Sequence, residues 1–264
     1  MNIFLRELKA SRKSLIIWCA IVVLFTLMGF TKGQAYFDNP EMLAILEAMP
    51  PAFISAFSME AFNLTTITGF VGIMIIYFAI MLCIAAAMWG SSVISKEERD
   101  NTVEFSLTLP VTRSRLITAK TLAMLVNCIV LLIVNTITIW VGVMKFEPDT
   151  EFYRFVGLCM LSVLILQLIF LTLGIFLGCA LKKHKLAGAI SIWILVGAYI
   201  LSILIGLEED LDFLKYLTPF KYFDPIRLLN ESSFDPVFFL LSAGIIVACM
   251  AGAYLTYARR DRYI

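Results

Sequence analysis

Six long intervals without Asp, Glu, Lys or Arg constrain the fold of this 264-residue chain more than any other feature. A transmembrane helix needs roughly 20 apolar residues to cross about 30 Å of hydrocarbon. The chain is 61% hydrophobic and 16% charged, whereas soluble domains are about 45–50% apolar and about 25% charged. We therefore predict an all-α, polytopic membrane protein that forms one transmembrane domain over residues 1–264. Its six transmembrane helices are predicted at about 14–31, 69–92, 121–144, 155–181, 186–207 and 237–258.

Basic residues are unevenly distributed between alternate loops. Of the 21 Lys and Arg residues, 15 lie in the segments 1–13, 96–120, 182–185 and 259–262, and the other loops hold 6. Because cytoplasmic loops accumulate Lys and Arg, this distribution places both termini inside. The same division leaves 14 of the 20 acidic residues outside.

Several classes of function are disfavoured by what the sequence lacks. It contains no G-x-x-x-x-G-K-[ST], so the chain is not expected to hydrolyse ATP through a P-loop of its own. The six cysteines lie in apolar stretches without metal-like spacing, and His184 is the one histidine. None of the predicted spans carries the carboxylate that proton-coupled carriers usually bury, and a net charge of +1 gives no reason to expect nucleic-acid binding. We therefore expect no enzyme activity in this chain and assign no catalytic, cofactor-binding or metal-binding residue.

Polar residues inside the predicted spans are few. Asn127, Asn135 and Gln167 are the amides among them. We interpret most of these side chains as hydrogen-bonding partners between helices rather than as contacts to a substrate.

The N-terminal segment 1–13 has an amphipathic pattern. Met1, Phe4, Leu5 and Leu8 recur at helical spacing, with basic residues on the opposite face. This pattern predicts a helix that lies in the inner membrane interface. Its role is either positive-inside anchoring or docking of a partner.

Residues 94–120 form a dense charged segment after the second predicted span. Its sequence has helical composition, ends at Pro110 and resumes a helical pattern near Ser114. One interpretation is a water-facing amphipathic hairpin. The other is a surface for a soluble partner, because the segment combines a charge cluster with the apolar residues Val103, Phe105 and Leu107.

The two longest external segments also contain helical patterns. In 32–60 an interfacial helix is predicted between Pro40 and Pro50. The segment 208–236 is acidic at first and then rich in aromatic residues and proline, and short external helices are predicted there before the last span. An aromatic belt explains most of this composition, with an extracellular gate as the alternative.

The charged segment resembles the corresponding loop of ABC-2 type permeases, in which E-x-x-x-x-T-x-E precedes L-x-x-P-V-[ST]-R and a later lysine. Here these elements are SKEERDNTVE at 95–104, LTLPVTR at 107–113, and Lys120. Asn101 stands where many members carry glycine, which changes a local turn. The six spans, the amphipathic N-terminal helix and LTPFKYFD at 217–224 are also similar to that family, so the resemblance covers essentially the whole chain.

This resemblance implies a membrane subunit that pairs with a second permease chain, as a homodimer or a pseudo-symmetric heterodimer, and with two copies of a separate ATPase that binds ATP and Mg. In the family, the interfacial helix and the helix after the second span dock on the ATPase, and the second and fifth spans line the route. The residues implied for ATPase coupling are Phe4, Leu8, Glu97, Glu98, Arg99, Glu104 and Arg113, and those implied for the path are Tyr77, Met81, Met88, Trp89, Trp193 and Tyr199. The implied location is a bacterial inner membrane.

The composition of the implied path suggests the class of cargo. Met-rich and aromatic surfaces can repack around varied apolar shapes, which favours export of an amphipathic peptide, toxin, antibiotic or other hydrophobic molecule. One rival hypothesis is a membrane anchor or sensor that docks a signalling protein without moving cargo. Another is an intramembrane enzyme acting on lipids, with Asp224, Glu231 and Asp235 as its candidate acids.

Overall fold

The computed structural model describes residues 3–33, 48, 50, 66–99, 112–181, 184–223, 225–231 and 233–259. All regular secondary structure in these residues is helical. Seven α-helices are described: α1 (Ile3–Gly33), α2 (Ile67–Arg99), α3 (Arg113–Val143), α4 (Thr150–Ala180), α5 (His184–Leu207), α6 (Pro225–Glu231) and α7 (Pro236–Arg259). Short 3-10 helices span Met144–Phe146, Glu209–Tyr216 and Pro219–Lys221.

The six long helices are apolar and long enough to cross a membrane, which confirms the all-α, six-span prediction. They are α1 to α5 and α7, and each contains the core of one predicted span. The short helices between α5 and α7 occupy the segment where short helices were predicted. Their external location remains a prediction, and the helix predicted between Pro40 and Pro50 lies outside the described residues.

Side-chain caps set two of the helix starts. The Thr112 side chain accepts a hydrogen bond from the Arg115 backbone N–H, so α3 begins one residue before the predicted restart at Ser114. Asp149 caps α4 in the same way, accepting from the Phe152 N–H at 2.8 Å.

The N-terminal segment and the first predicted span form one continuous helix, α1. The structure has no break between residues 13 and 14, where the sequence pattern placed the junction of two elements. Phe4 and Leu8 pack partly buried against the core, whereas Leu5 is 59% exposed. The orientation of this segment in a membrane interface remains a prediction.

The centre of the bundle is formed by α2 and α4. In the most apolar window of each helix, 67% of the residues are buried, against 17% in α1 and α7 and 22% in α5. Because α1, α5 and α7 leave most of their apolar surface uncovered, they form the periphery of the chain. Lipid or another subunit can cover such a surface in a membrane.

Glycines bring α2 and α4 into backbone contact. A Cβ built on Gly90 of α2 would lie 2.3 Å from the Leu171 carbonyl oxygen of α4. In the opposite direction, a Cβ on Gly174 would lie 2.6 Å from the Ala87 oxygen and 2.9 Å from the Ser91 nitrogen. This reciprocal contact follows the small-residue packing typical of membrane helices. It requires glycine at both positions because backbone atoms cannot move aside as a flexible side chain can.

Gln167 lies in the middle of α4 and is fully buried. Neither atom of its amide has a hydrogen-bond partner among the described residues. A buried amide without partners destabilises the conformation that contains it. This finding differs from the expectation that Gln167 hydrogen-bonds between helices.

Candidate functional site

One end of the bundle carries the described part of the sequence motif, and Lys120 is the most buried charged side chain described there. The side chain is 1% exposed, and its Nζ donates to the Val93 carbonyl oxygen at 2.8 Å. A buried ammonium group needs such acceptors because desolvation penalises its charge. The bond attaches α3 to the last turns of α2, directly before the motif segment.

Arg113, also part of the motif, attaches α3 to the last helix. Its Nη1 donates to the Ala258 carbonyl at 2.8 Å and lies 3.5 Å from that of Tyr257. These carbonyls belong to the final turn of α7, where a helix lacks internal donors and its dipole favours a cation. One turn further along α3, the hydroxyls of Thr118 and Tyr254 are 2.7 Å apart.

Two further hydrogen bonds attach α1 at the same end. Asn127 Nδ2 of α3 donates to Ser11 Oγ at 2.8 Å, and Trp89 Nε1 of α2 donates to Ser14 Oγ at 2.9 Å. The first bond confirms the prediction that Asn127 hydrogen-bonds between helices. Since Ser11 and Ser14 are three residues apart, they lie on one face of α1.

These contacts place four helix ends together: the start of α1, the end of α2, the start of α3 and the end of α7. The described residues nearest both termini therefore lie at the same end as the end of α2 and the start of α3. This agrees with the predicted arrangement, in which both termini and residues 94–120 share one side of the membrane. We refer to this part of the molecule, built on Ser11, Trp89, Val93, Arg113 and Lys120, as the coupling end.

The structure places the predicted coupling residues unequally. Glu97, Glu98 and Arg99 belong to the last turn of α2, so this part of the segment continues the membrane helix. Glu104 lies outside the described residues. Arg113 contacts α7 within the chain, a role that sequence analysis did not anticipate. Lys120 was identified only as a motif lysine, and the sequence offers no other signal that it would be buried.

Three of the predicted path residues lie on one face of α2. Tyr77, Met81, Ile84, Met88 and Ser92 follow one another at intervals of four, three, four and four residues. All five are exposed or half-buried, whereas most other positions on this part of α2 are buried. We call this surface the α2 stripe. It is open on the outside of the chain.

The α2 stripe has a neighbouring helix on each side, and we call this strip of α2 the groove between α1 and α5. On one side Trp89, the residue after Met88, bonds to α1. On the other side, Ser91 lies against Gly188 of α5, where a built Cβ would be 3.5 Å from Ser91 Oγ. The stripe therefore lies between α1 and α5.

The other three predicted path residues lie elsewhere. Trp89 is 3% exposed and contacts α1. Trp193 is 73% exposed and lies two residues from both Ser191 and Leu195, which are fully buried, so it projects from the opposite side of α5. The Tyr199 ring packs edge-on against Phe220 and lines a partly open cavity.

This cavity has a volume of about 200 Å³ and is lined by residues of α2, α4 and α5 and by residues from 220–223 and 225–228. Its walls are mostly aliphatic and aromatic, with Ser162, Ser202 and Lys221 as polar exceptions. Sequence analysis does not indicate this cavity, because its lining residues come from four separate segments.

The segment between α5 and α7 forms one wall of the cavity, and aromatic and hydroxyl groups attach it to the membrane helices. Thr218 is buried and donates to the Ala198 carbonyl of α5 at 2.7 Å. Tyr222 stacks on Phe238 of α7 at 5.2 Å and donates its hydroxyl to the Tyr216 carbonyl. Burial raises the pKa of the Tyr222 phenol above its usual value. At neutral pH this hydroxyl is therefore a donor.

The six apolar helices define the chain as a polytopic membrane protein. Within the described residues, no three His, Cys, Asp or Glu side chains are grouped so that they could hold a metal ion. The family model for ABC-2 family transporter proteins matches residues 1–262, and the chain belongs to that family. Its members are membrane subunits of ABC transporters and generally act with an ATPase subunit. No match was found among proteins of curated function.

Proposed function

We propose that this chain is the permease of an ABC exporter and moves an amphipathic peptide, toxin, antibiotic or other hydrophobic molecule. Two copies of the chain act with two copies of a separate ATPase, which binds ATP and Mg. The complex lies in a bacterial inner membrane with both termini of the permease in the cytoplasm. The observation that carries this proposal is the family match over residues 1–262, together with six membrane-length helices.

The coupling end supports a mechanical role for the ATPase. Closure of two ATPase subunits can move membrane helices only through an element whose contacts differ between two states. Lys120 and Arg113 join the ends of α2, α3 and α7, and α1 is bonded to α2 and α3 nearby. A displacement applied to the 99–113 connection would therefore act on several helices together.

The α2 stripe supports a route between two copies of the chain. Met88 is 43% exposed although it lies deep within a membrane-length helix. Its neighbours on the stripe, Tyr77 and Met81, are half-buried. A second copy that covered the groove between α1 and α5 would enclose an apolar surface rich in Met, which suits cargo of variable shape.

The test is affinity capture of the full chain from its native membrane, followed by identification of co-purifying proteins and measurement of ATP hydrolysis. We expect a stoichiometric ATPase whose turnover responds to amphipathic peptides. A chain recovered alone, or with a partner that hydrolyses nothing, would instead support the anchor or sensor hypothesis.

A charge-reversal variant locates the interface. Glu98→Lys combined with Glu104→Lys should abolish recovery of the ATPase, because the new lysines would repel the basic groups of the ATPase that the two carboxylates are proposed to contact. The matched control is Glu208→Lys combined with Asp210→Lys, which makes the same charge change in the segment predicted to be external. The interface is misplaced if the first variant recovers as much ATPase as the control while both insert normally into the membrane.

A further inference from the structure

The connection from α5 to α7 turns back along α5. The Thr218 hydroxyl donates to the Ala198 carbonyl of α5 at 2.7 Å. Ala198 lies nine residues before Leu207, where both α5 and its predicted span end. At roughly 1.5 Å per residue, the bonded point is about 14 Å back from the end of that helix. The Glu209–Tyr216 3-10 helix is long enough for this return, because its eight residues extend about 16 Å at roughly 2 Å each.

An aromatic contact with another helix gives the same depth. The Phe220 ring packs against Phe170 of α4, with the ring centroids 5.5 Å apart. Phe170 is two residues from position 168, which is midway along the predicted span 155–181. Contacts with two different helices therefore place residues 218–220 close to the midplane of the membrane.

The backbone of this segment suits such a depth. In hydrocarbon, backbone N–H and C=O groups must be hydrogen-bonded within the protein. The N–H of Leu217 donates to the Leu214 carbonyl at 2.9 Å, and that of Lys221 donates to the Thr218 carbonyl at 3.1 Å. The short 3-10 helices thus supply internal partners where a plain loop would leave these groups to water.

The two lysines of the segment extend away from its deepest part. Lys215 Nζ contacts the Asp212 carboxylate, three residues earlier, at 2.5 Å. Lys221 Nζ lies beside Gly206, where a built Cβ would be 3.7 Å away. Since Gly206 is eight residues beyond Ala198 on α5, this ammonium group is about 12 Å nearer the helix end than the Thr218 bond. Lysines at apolar depth extend in this way to keep their charge near the membrane surface.

The exposed side chains change in character along the segment. Its start exposes the acidic residues Glu208 and Asp210. Further along, Phe213 is 68% exposed and Leu217 is 72% exposed. We call these two side chains the re-entrant patch. Two large apolar side chains this exposed are costly in water and favourable in hydrocarbon.

The re-entrant patch is continuous with the outer face of α7. Tyr216, which lies between its two members, packs against Phe238 with ring centroids 5.8 Å apart. The next two residues of α7, Phe239 and Leu240, are exposed apolar side chains. α7 packs on α4 and α3, whereas the proposed second copy covers the groove between α1 and α5. The patch therefore belongs to a surface that faces lipid.

We infer that residues 209–223 form a re-entrant segment that reaches the midplane of the bilayer, and that Phe213 and Leu217 contact the acyl chains of membrane lipids. An aromatic belt at the interface would place this segment about 14 Å nearer the membrane surface. The inference does not depend on the cargo, on the ATPase or on which side of the membrane the segment enters. It can be tested on the permease chain alone.

Leu217→Cys tests the depth. The full chain is reconstituted in phosphatidylcholine liposomes and treated with a charged maleimide on both sides of the membrane. We expect Leu217→Cys to react at least about tenfold more slowly than Asp210→Cys, because a thiol in hydrocarbon forms little of the reactive thiolate. Asp210→Cys is the matched control, since Asp210 is exposed near the start of the same 3-10 helix. The unaltered chain, with its six cysteines, supplies the background rate.

Phe213→Cys gives a second position, and thermal unfolding verifies that each variant is folded. In sodium dodecyl sulfate all three introduced thiols should react alike, because protection depends on the folded chain in its membrane. If Leu217→Cys and Phe213→Cys react as fast as Asp210→Cys in liposomes, the segment lies in water and the re-entrant placement is overturned.

A photo-crosslinker identifies what covers the re-entrant patch. Phe213 is replaced by p-benzoylphenylalanine, which keeps an aromatic ring and on irradiation adds across a neighbouring C–H bond. We expect intact-protein mass spectrometry to show a gain of one phosphatidylcholine. The same replacement at Asp210 is the control and should give less of this adduct. A covalent dimer of the chain, or no lipid adduct at position 213, would overturn lipid as the partner of the patch.

Discussion

The backbone contact between α2 and α4 allows a sharp test of the helix packing. Gly174→Ala adds one methyl group where a Cβ would be 2.6 Å from the Ala87 carbonyl oxygen. Ordinary contact begins at 3.4 Å, so α2 and α4 would have to separate by about 0.8 Å. Gly157→Ala is the matched control, because a Cβ at Gly157 of the same helix meets nothing within 4 Å.

The expected magnitude follows from the lost contacts between α2 and α4. The attraction between two atoms in contact is about 0.1–0.2 kcal/mol per pair. A gap of about 0.5–1 Å removes a quarter to a half of that attraction. With on the order of 50 atom pairs along the interface, as many as one buried Leu makes, the cost is roughly 1–5 kcal/mol. The change from Gly to Ala also favours a helix by about 1 kcal/mol, but this gain is common to both variants and cancels.

We therefore expect the free energy of unfolding of Gly174→Ala to be about 3 kcal/mol lower than that of Gly157→Ala. The assay is a titration with a denaturing detergent, followed by far-ultraviolet circular dichroism. Gly90→Ala should behave in the same way, since a Cβ there would be 2.3 Å from the Leu171 oxygen. In the double variant the two costs should not add, because one separation relieves both clashes. Equal stability of Gly174→Ala and Gly157→Ala would refute the backbone contact.

Three other perturbations have definite expected results. Trp89→Phe removes the hydrogen bond to Ser14 and should lower the free energy of unfolding by about 0.5–1.5 kcal/mol. Additive costs in a double-mutant cycle with Ser14→Ala would argue against the bond. Gln167→Leu removes an unpartnered buried amide and should raise the free energy of unfolding by about 1–3 kcal/mol, whereas a loss of stability would indicate that the amide has a partner. The raised pKa of Tyr222 favours its neutral form in the folded chain, so its contribution is present below about pH 10 and lost as the pH rises through the folded pKa. Tyr222→Phe should therefore lose less stability in alkaline solution than the unaltered chain, as measured by thermal unfolding against pH.

The number and positions of the membrane helices could be predicted because they depend on local properties. An uncharged apolar interval must be long enough to cross the bilayer, and its backbone must be hydrogen-bonded internally. The restart of the helix near Ser114 was equally local, since Pro110 interrupts the preceding pattern and Thr112 caps the next helix. Such features require no knowledge of which helices are neighbours.

The arrangement of the helices was less predictable, as Lys120 and Trp89 illustrate. By sequence, a lysine at the edge of a span belongs in a loop, yet Lys120 is buried because the end of α2 offers it a carbonyl acceptor. Trp89 shares α2 with Met88, but a rotation of 100° turns it toward Ser14 instead of the α2 stripe. Both outcomes depend on the helix that happens to lie beside the residue.

The contacts of α2 differ along its length in a way that bears on how the chain could move. At the coupling end, α2 is held by individual side-chain bonds. The charged bond from Lys120 to the Val93 carbonyl is worth about 1.5–3 kcal/mol net, and the neutral bond from Trp89 to Ser14 of α1 is worth about 0.5–1.5 kcal/mol. In the centre it is held by the glycine contact with α4, where separation would disturb many atom pairs at once. Breaking one side-chain bond therefore requires less free energy than separating the two helices. We expect α2 and α4 to remain together in any second conformation, with rearrangement confined to the coupling end and to the peripheral helices.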